Sequence, residues 1–220
     1  MLRMAGFAVV LALTAGAAQA ASVSYYMDQS NLTNSPLMDG THFLRVTIDD
    51  EGNPGDINFT VETLSPLNDL AASNFGIQTF AFNTLVAVSD IDESQLITGL
   101  PVGWDTNVIP PNNNEGGFGV FDIAVNGSGN TRVSTLTFSL TGIEGALIES
   151  YLELSETNNG MEPPEGSVFF VAHVADFDDQ FGNSSAFFGG STPVPLPPTI
   201  LVLATSLAGL AFFRRRVSTD

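Results

Sequence analysis

Apolar and polar residues alternate along several short stretches of this 220-residue chain. In residues 44–48, 57–61 and 136–140, every second side chain is apolar and the residues between are mostly polar. An extended strand points successive side chains to opposite faces, so this pattern predicts strands that are buried on one side. Residues 121–126 are similar, whereas residues 168–177 are apolar at nearly every position, which is typical of a central strand.

Clusters of Gly, Asn, Asp and Pro separate these stretches, and no long segment has helical periodicity. The chain has room for about eight or nine strands at the spacing typical of a sandwich. We therefore predict an all-β domain over residues 21–190, an antiparallel two-sheet β-sandwich that is Ig-like or jelly-roll-like. Residues 145–154 fit either a short strand or a brief helix, and residues 182–193 resemble a flexible exit from the domain.

The first 20 residues have the features of a signal peptide. Arg3 supplies a basic start, an apolar segment follows, and Ala18 and Ala20 form an A-x-A cleavage site. The apolar segment is short and ends in small residues, which argues against a permanent N-terminal anchor. We expect export and a mature chain that begins at Ala21.

The C-terminus carries a second apolar segment, residues 199–213, which contains 15 residues without a charge. As a helix it would extend about 22 Å, and it continues from a proline pair that suits the first turn of a helix. Arg214, Arg215 and Arg216 follow at once, and arginines beside a membrane span stay in the cytoplasm. We predict a linker over 191–198, a single transmembrane helix over 199–213 and a basic cytoplasmic tail over 214–220.

These C-terminal features resemble the PEP-CTERM family of exported bacterial proteins. The matching residues are the motif Val194, Pro195, Leu196 and Pro197, followed by the apolar helix and the arginine cluster. Leu196 between the prolines resembles the VPLPA-type variant of the motif. The resemblance implies sorting by an exosortase in a Gram-negative bacterium, and final placement at the cell surface or in an exopolysaccharide matrix.

The charge balance is strongly acidic, with 24 Asp and Glu against six Arg and a net charge of −18. Removing both predicted ends leaves two arginines, 23 acidic residues and a net charge of −21. Such a domain has almost no cations with which to neutralise phosphates, which excludes nucleic acid as a partner. The absence of Cys excludes thiolate chemistry and disulfides.

Candidate chemistry within the domain is sparse. His42 and His173 are the two histidines, and no nucleophile motif accompanies either, so a structural role is favoured. Asp176, Asp178 and Asp179 are the best calcium candidates, although acidic turns are common in proteins of this type. Trp104, the single Trp, has the chemistry to stack on a sugar, but packing at the edge of the core is the favoured interpretation.

The sequence thus predicts an exported, surface-sorted and non-enzymatic protein of the exopolysaccharide or biofilm matrix, with no catalytic residues and no required cofactor. Its expected partners are an exosortase, the membrane through the C-terminal helix, and an exopolysaccharide. A carbohydrate-binding adhesion module, assisted by calcium, is the alternative. A secreted hydrolase is less favoured and would require His173 or a carboxylate pair in a concave pocket.

Overall fold

The computed structural model describes residues 21–33, 37–53, 55–91 and 96–195. The strands in this part of the chain are β1 Ser22–Met27, β2 Gln29–Ser30, β3 Leu44–Asp49, β4 Ile57–Thr63, β5 Ala71–Phe82, β6 Ile97–Thr98, β7 Asp105–Asn114, β8 Val120–Asn126, β9 Thr135–Leu140, β10 Phe170–Phe177, β11 Ser185–Gly190 and β12 Thr192–Pro193. Short 3₁₀ helices cover Asn68–Leu70, Val88–Asp90 and Ile148–Tyr151.

The strands form two antiparallel sheets of six strands each. The first sheet has the order β12-β1-β3-β4-β9-β6, and the second has the order β2-β11-β10-β5-β8-β7. β10 pairs with β11 on one side and with β5 on the other, so the prediction of a central strand over 168–177 is confirmed. The predicted all-β architecture with two antiparallel sheets is confirmed as well.

Alternating burial explains why the first sheet forms. In β3 and β4 every second residue is fully buried, and the residues between them are half-buried. The register places Ile48 beside Phe59 and Val46 beside Val61, which puts the apolar side chains of neighbouring strands on one face. A shift of the register by one residue would expose this whole set, so burial of one face fixes the pairing.

Aromatic rings fill the space between the two sheets. Phe59 of β4 lies 4.7 Å from Phe82 of β5 in the opposite sheet, measured between ring centroids. Its ring also stacks on Phe138 of β9 at 5.0 Å and meets the edge of Tyr151 at 5.7 Å. Phe80 of β5 completes the group at 6.3 Å from Phe59. The two sheets therefore share one core.

The C-terminal part of the domain is more regular than its composition implied. Within the segment predicted as a flexible exit, β11 pairs with β10 over six residues and buries Phe188 in the core. β12 then pairs with β1, so the sheet extends to Pro193 and includes part of the predicted linker. Glycine and serine suggested flexibility here, but the alternating apolar residues pack against the neighbouring strand.

Several predicted segments lie outside the described residues. They are the signal peptide 1–20 with Ala18 and Ala20, the motif residues Leu196 and Pro197, the apolar segment 199–213 and the tail 214–220 with its three arginines. Within the described ranges, no helix has the length and apolar character needed to cross a membrane.

We predict that Phe59→Ala lowers the free energy of unfolding by about 3–5 kcal/mol, because it removes the ring that contacts both sheets. The control is Thr60→Ala, which changes the neighbouring, half-buried position on the opposite face of β4. Denaturant unfolding followed by the fluorescence of the single Trp measures both variants. Equal losses for the two variants would contradict the shared aromatic core.

We also predict a pH dependence that originates at Glu115, because burial raises the pKa of its carboxyl from 4.5 to about 7. The folded protein holds this proton more tightly than the unfolded chain, so stability falls as the pH rises from about 4.5 to about 7. Glu115→Gln should remove this loss and raise the melting temperature at pH 8. Glu144→Gln, at an exposed position, should leave the loss in place.

Candidate functional site

Trp104 packs against the domain and offers no open face to a ligand. Its side chain is 9% exposed, and its Nε1 donates a hydrogen bond to the carbonyl oxygen of Thr131 at 2.7 Å. A Cβ atom at Gly127 would lie 2.6 Å from the indole ring, so only glycine fits beneath it. The structure agrees with the packing interpretation, and burial leaves no room for a sugar to stack on this ring.

The acidic turn after β10 is built by hydrogen bonds from its own backbone. Asp179 is 1% exposed, and its Oδ1 accepts the backbone N–H groups of Phe181 at 2.9 Å and Asn183 at 3.0 Å. Its Oδ2 accepts the side-chain amide of Asn183 at 2.6 Å. The buried carboxylate therefore stabilises a turn, as expected for Asp in a loop.

Asp178 of this turn and Asp176, which lies near the end of β10, have separate partners. Asp178 accepts the N–H of Gln180 at 3.0 Å, and Asp176 accepts the N–H of Asn74. Within the described residues, no three His, Asp or Glu side chains are arranged to hold a metal ion. The calcium interpretation of Asp176, Asp178 and Asp179 thus receives no support from the geometry of the turn.

One pocket brings together several polar side chains on the face of the second sheet that points away from the shared core. We call it the Arg132 pocket, and its volume is about 300 Å³. Its lining residues are Gln78, Arg132, His173, Ala175, Asp176, Ser184 and Ser185. Sequence analysis singled out His173 and Asp176 separately, and the fold places both of them here.

The pocket lies where the pairing of β5 with β10 is irregular. His173 pairs with Thr79 and the next residue, Val174, pairs with Ile77, so Gln78 is the extra residue of a β-bulge. A second shift follows at Asp176, whose φ of 63° places it in the left-handed region. Bulges change the direction of side chains and are common beside functional sites.

The segment that contains Arg132 pairs with β5, and this pairing brings Arg132 to the pocket. Its neighbour Val133 forms an antiparallel bridge with Ile77, with a hydrogen bond of 2.8 Å from the Ile77 N–H to the Val133 carbonyl. A Cβ atom at Gly76 would lie 2.6 Å from that carbonyl oxygen. Glycine at position 76 therefore allows the backbone of Val133 to pack closely beside β5.

Hydrogen bonds hold the guanidinium group in place. Arg132 Nε donates to Gln78 Oε1 at 2.9 Å, and Nη1 lies 3.5 Å from the carbonyl oxygen of Asn74. The bulge that exposes Gln78 therefore also orients the cation. The hydrogen bond from Trp104 to Thr131 supports the adjacent residue of the same segment.

Arg132 is electrostatically unusual in this domain. The other arginine between the predicted ends, Arg45, forms an ion pair with Glu62 at 2.6 Å. In the described part of the chain, no carboxylate lies within ion-pair distance of Arg132. A half-buried cation without a carboxylate partner, in a domain of net charge −21, marks this pocket as different from the rest of the surface.

His173 forms one wall of the pocket. Its ring stacks on Phe187 at 4.6 Å between centroids, which fixes the orientation of the imidazole. Burial, and secondarily the charge of Arg132, lowers the pKa of His173, so the imidazole is neutral at pH 7. The hydroxyl-bearing residues Ser184 and Ser185 line the same pocket as His173.

Sequence analysis did not identify Arg132 or Gln78 as site residues. No motif surrounds either one, and the bulge that brings them together depends on pairing between distant strands. One signal was present in the sequence, because Arg132 is one of only two cations that remain when both predicted ends are removed.

No family model, curated protein or solved structure matches this chain.

We predict that Arg132→Gln raises the pKa of His173, because it removes the neighbouring positive charge that disfavours the imidazolium. The pKa of His173 should rise only part of the way to its ordinary value, because burial is the larger cause of the lowering and is still present in the variant. Histidine ring signals in a proton NMR titration measure it. Arg45→Gln makes the same change in net charge away from the pocket, and an equal shift in that variant would show that Arg132 does not act locally.

Proposed function

We propose that this protein is exported, anchored transiently in the membrane and sorted to the cell surface or extracellular matrix by an exosortase, where it acts as a non-enzymatic matrix component. The observation that carries the proposal is the position of the two ends of the folded domain. They lie side by side at one edge of the first sheet, next to the two predicted processing sites.

The folded domain begins directly after the predicted signal-peptide cleavage site. β1 starts at Ser22, and the backbone nitrogen of Ala21 lies 2.8 Å from Oδ1 of Asp50. The hydrogen bonds from Gly52 and Ala21 lower the pKa of the Asp50 carboxyl, which keeps it ionised. Cleavage before Ala21 would place a new ammonium group against this carboxylate, an arrangement that favours the processed form.

The last strand of the folded domain, β12, ends directly before the predicted sorting motif. β12 pairs with β1, so that Pro193 lies beside Tyr25, and the N–H of Val194 donates to the carbonyl oxygen of Ser24 at 2.9 Å. The folded domain therefore continues into the first residue of the motif. A processing enzyme would reach the chain from Pro195 onward without disturbing the sheet.

The Arg132 pocket supports a carbohydrate-binding adhesion module as the second candidate function. It is a concave polar site on a domain that otherwise repels anions, and its seven lining residues include hydroxyl, amide and imidazole groups. A β-sandwich of either Ig-like or jelly-roll-like topology is compatible with both proposals, because such folds host many functions.

We predict that replacing Val194, Pro195, Leu196 and Pro197 together by Ala keeps the protein in the membrane with its arginine tail attached. The unchanged protein should instead leave the membrane fraction of its native host without residues 214–220. Cell fractionation with a tag after Asp220 measures both outcomes, because cleavage separates the tag from the domain.

The control replaces Ser191 and Thr192 by Ala, which lie before Pro193 and the motif, at the start of the same edge strand. It should be processed normally. Retention of this variant would indicate damage to the edge strand, and release of the motif variant without its tail would contradict sorting at Val194–Pro197.

A further inference from the structure

We propose that the Arg132 pocket binds one carboxylate-bearing sugar residue, a uronic acid unit, with the carboxylate on Arg132 and the hydroxyl groups on the polar side chains around it. This deepens the proposed function by giving the ligand class of the domain. The inference rests on the proposed function only in that export to the cell surface or matrix would bring the pocket into contact with such a sugar.

The guanidinium group of Arg132 is prepared for a carboxylate. An arginine side chain has five N–H donors, and the hydrogen bonds to Gln78 and to the carbonyl of Asn74 engage two of them. Within the described residues no carboxylate neutralises the group. Because Gln78 fixes the plane of the guanidinium, a bound carboxylate gains hydrogen bonds without the cost of ordering a free side chain.

The charges around the pocket limit the ligand to a single negative charge. Arg132 is the one cation in the lining, and the carboxylate of Asp176 lies in the same pocket. The remaining charge of the domain between its predicted ends is also strongly negative. A phosphate or sulfate ester cluster would be repelled, whereas a monoanion can pair with Arg132 while it remains away from Asp176.

The other lining groups match the hydroxyls of a sugar. Ser184 and Ser185 each carry a hydroxyl, and the neutral imidazole of His173 has one donor and one acceptor nitrogen. Asp176 accepts one N–H from Asn74 and retains lone pairs that only a donor such as a hydroxyl can use. Its own backbone N–H donates to the Ser184 carbonyl at 2.8 Å, which ties the two sides of this wall together.

The volume of the pocket fits one sugar residue. At about 300 Å³ it lies at the small end of the range for small-molecule sites. The pocket lies on the outer face of the sheet, and Ser184 and Ser185 in its lining are exposed. The neighbouring units of a polymer are therefore free to continue into solvent. The site is therefore suited to a single uronate within a longer glycan whose neighbouring units are uncharged.

The experiment is a titration of the full chain, purified in a non-ionic detergent, with D-glucuronate, glucuronamide, glucose and acetate. Saturation-transfer NMR on the ligands provides the readout. We expect glucuronate to bind with a dissociation constant of roughly 1 mM, and glucuronamide and glucose to bind at least about tenfold more weakly because the charged hydrogen bonds are lost. Equal binding of glucuronate and glucuronamide would overturn the role assigned to Arg132.

Two variants with the same change in net charge sharpen the test. Arg132→Gln should reduce glucuronate binding at least about tenfold, and Arg45→Gln should leave it unchanged. The melting curve of each variant, followed by Trp104 fluorescence, establishes that it is folded. The comparison of glucuronate with glucuronamide uses the unchanged protein, so it decides the question even if Arg132→Gln fails to fold.

Titrations with acetate and with an oligosaccharide test the contribution of the sugar hydroxyls and the source of the ligand. Acetate that binds as tightly as glucuronate would overturn the sugar part of the proposal. An oligosaccharide that carries one uronate among neutral sugars and binds more tightly than glucuronate supports a polysaccharide, and equal affinities support a free sugar acid. These binding results do not depend on C-terminal processing, so their failure is distinct from a failure of the sorting proposal.

Discussion

Contact between aromatic rings across the two sheets is the interaction on which the rest of this domain depends. Phe59 of the first sheet stacks on Phe82 of the second, and Phe80 carries the contact on to Phe170 of β10 at 6.0 Å. The chain has no Cys, so no disulfide reinforces this core. The aromatic layer must therefore hold together a domain whose net charge of −21 opposes compaction.

The same packing determines where the pocket and the domain ends lie. β5 contributes Phe80 and Phe82 to the core, and directly before them it contains the bulge at Gln78. The core anchors the strand on one side of the bulge, and the bridge between Ile77 and Val133 anchors the other side and presents Arg132. β1 and β12 lie at one edge of the first sheet, beside the predicted processing sites, whereas the pocket lies on the second sheet.

Local patterns were sufficient to predict many of the strands but not the site. The alternation of apolar and polar residues identified β3, β4 and β9, and a segment that is apolar on both faces identified β10. Both patterns follow directly from which faces of a strand are buried. The sequence patterns did not identify β1, β2, β6, β7, β11 or β12. In β11 and β12 the reason is that their glycines and serines are typical of loops. The Arg132 pocket depends on a bulge and a crossing between distant segments, and neither leaves a local pattern.

We propose that folding and processing meet at one sheet edge, so that the released domain extends from Ala21 to a point just beyond Val194. The most direct test is the intact mass of the mature protein isolated from its native host, with sequencing of both terminal peptides. The account predicts an N-terminus at Ala21 and a C-terminus between Pro195 and Pro198. A mature protein that retains residues through Asp220 would contradict it and would identify a permanently anchored ectodomain.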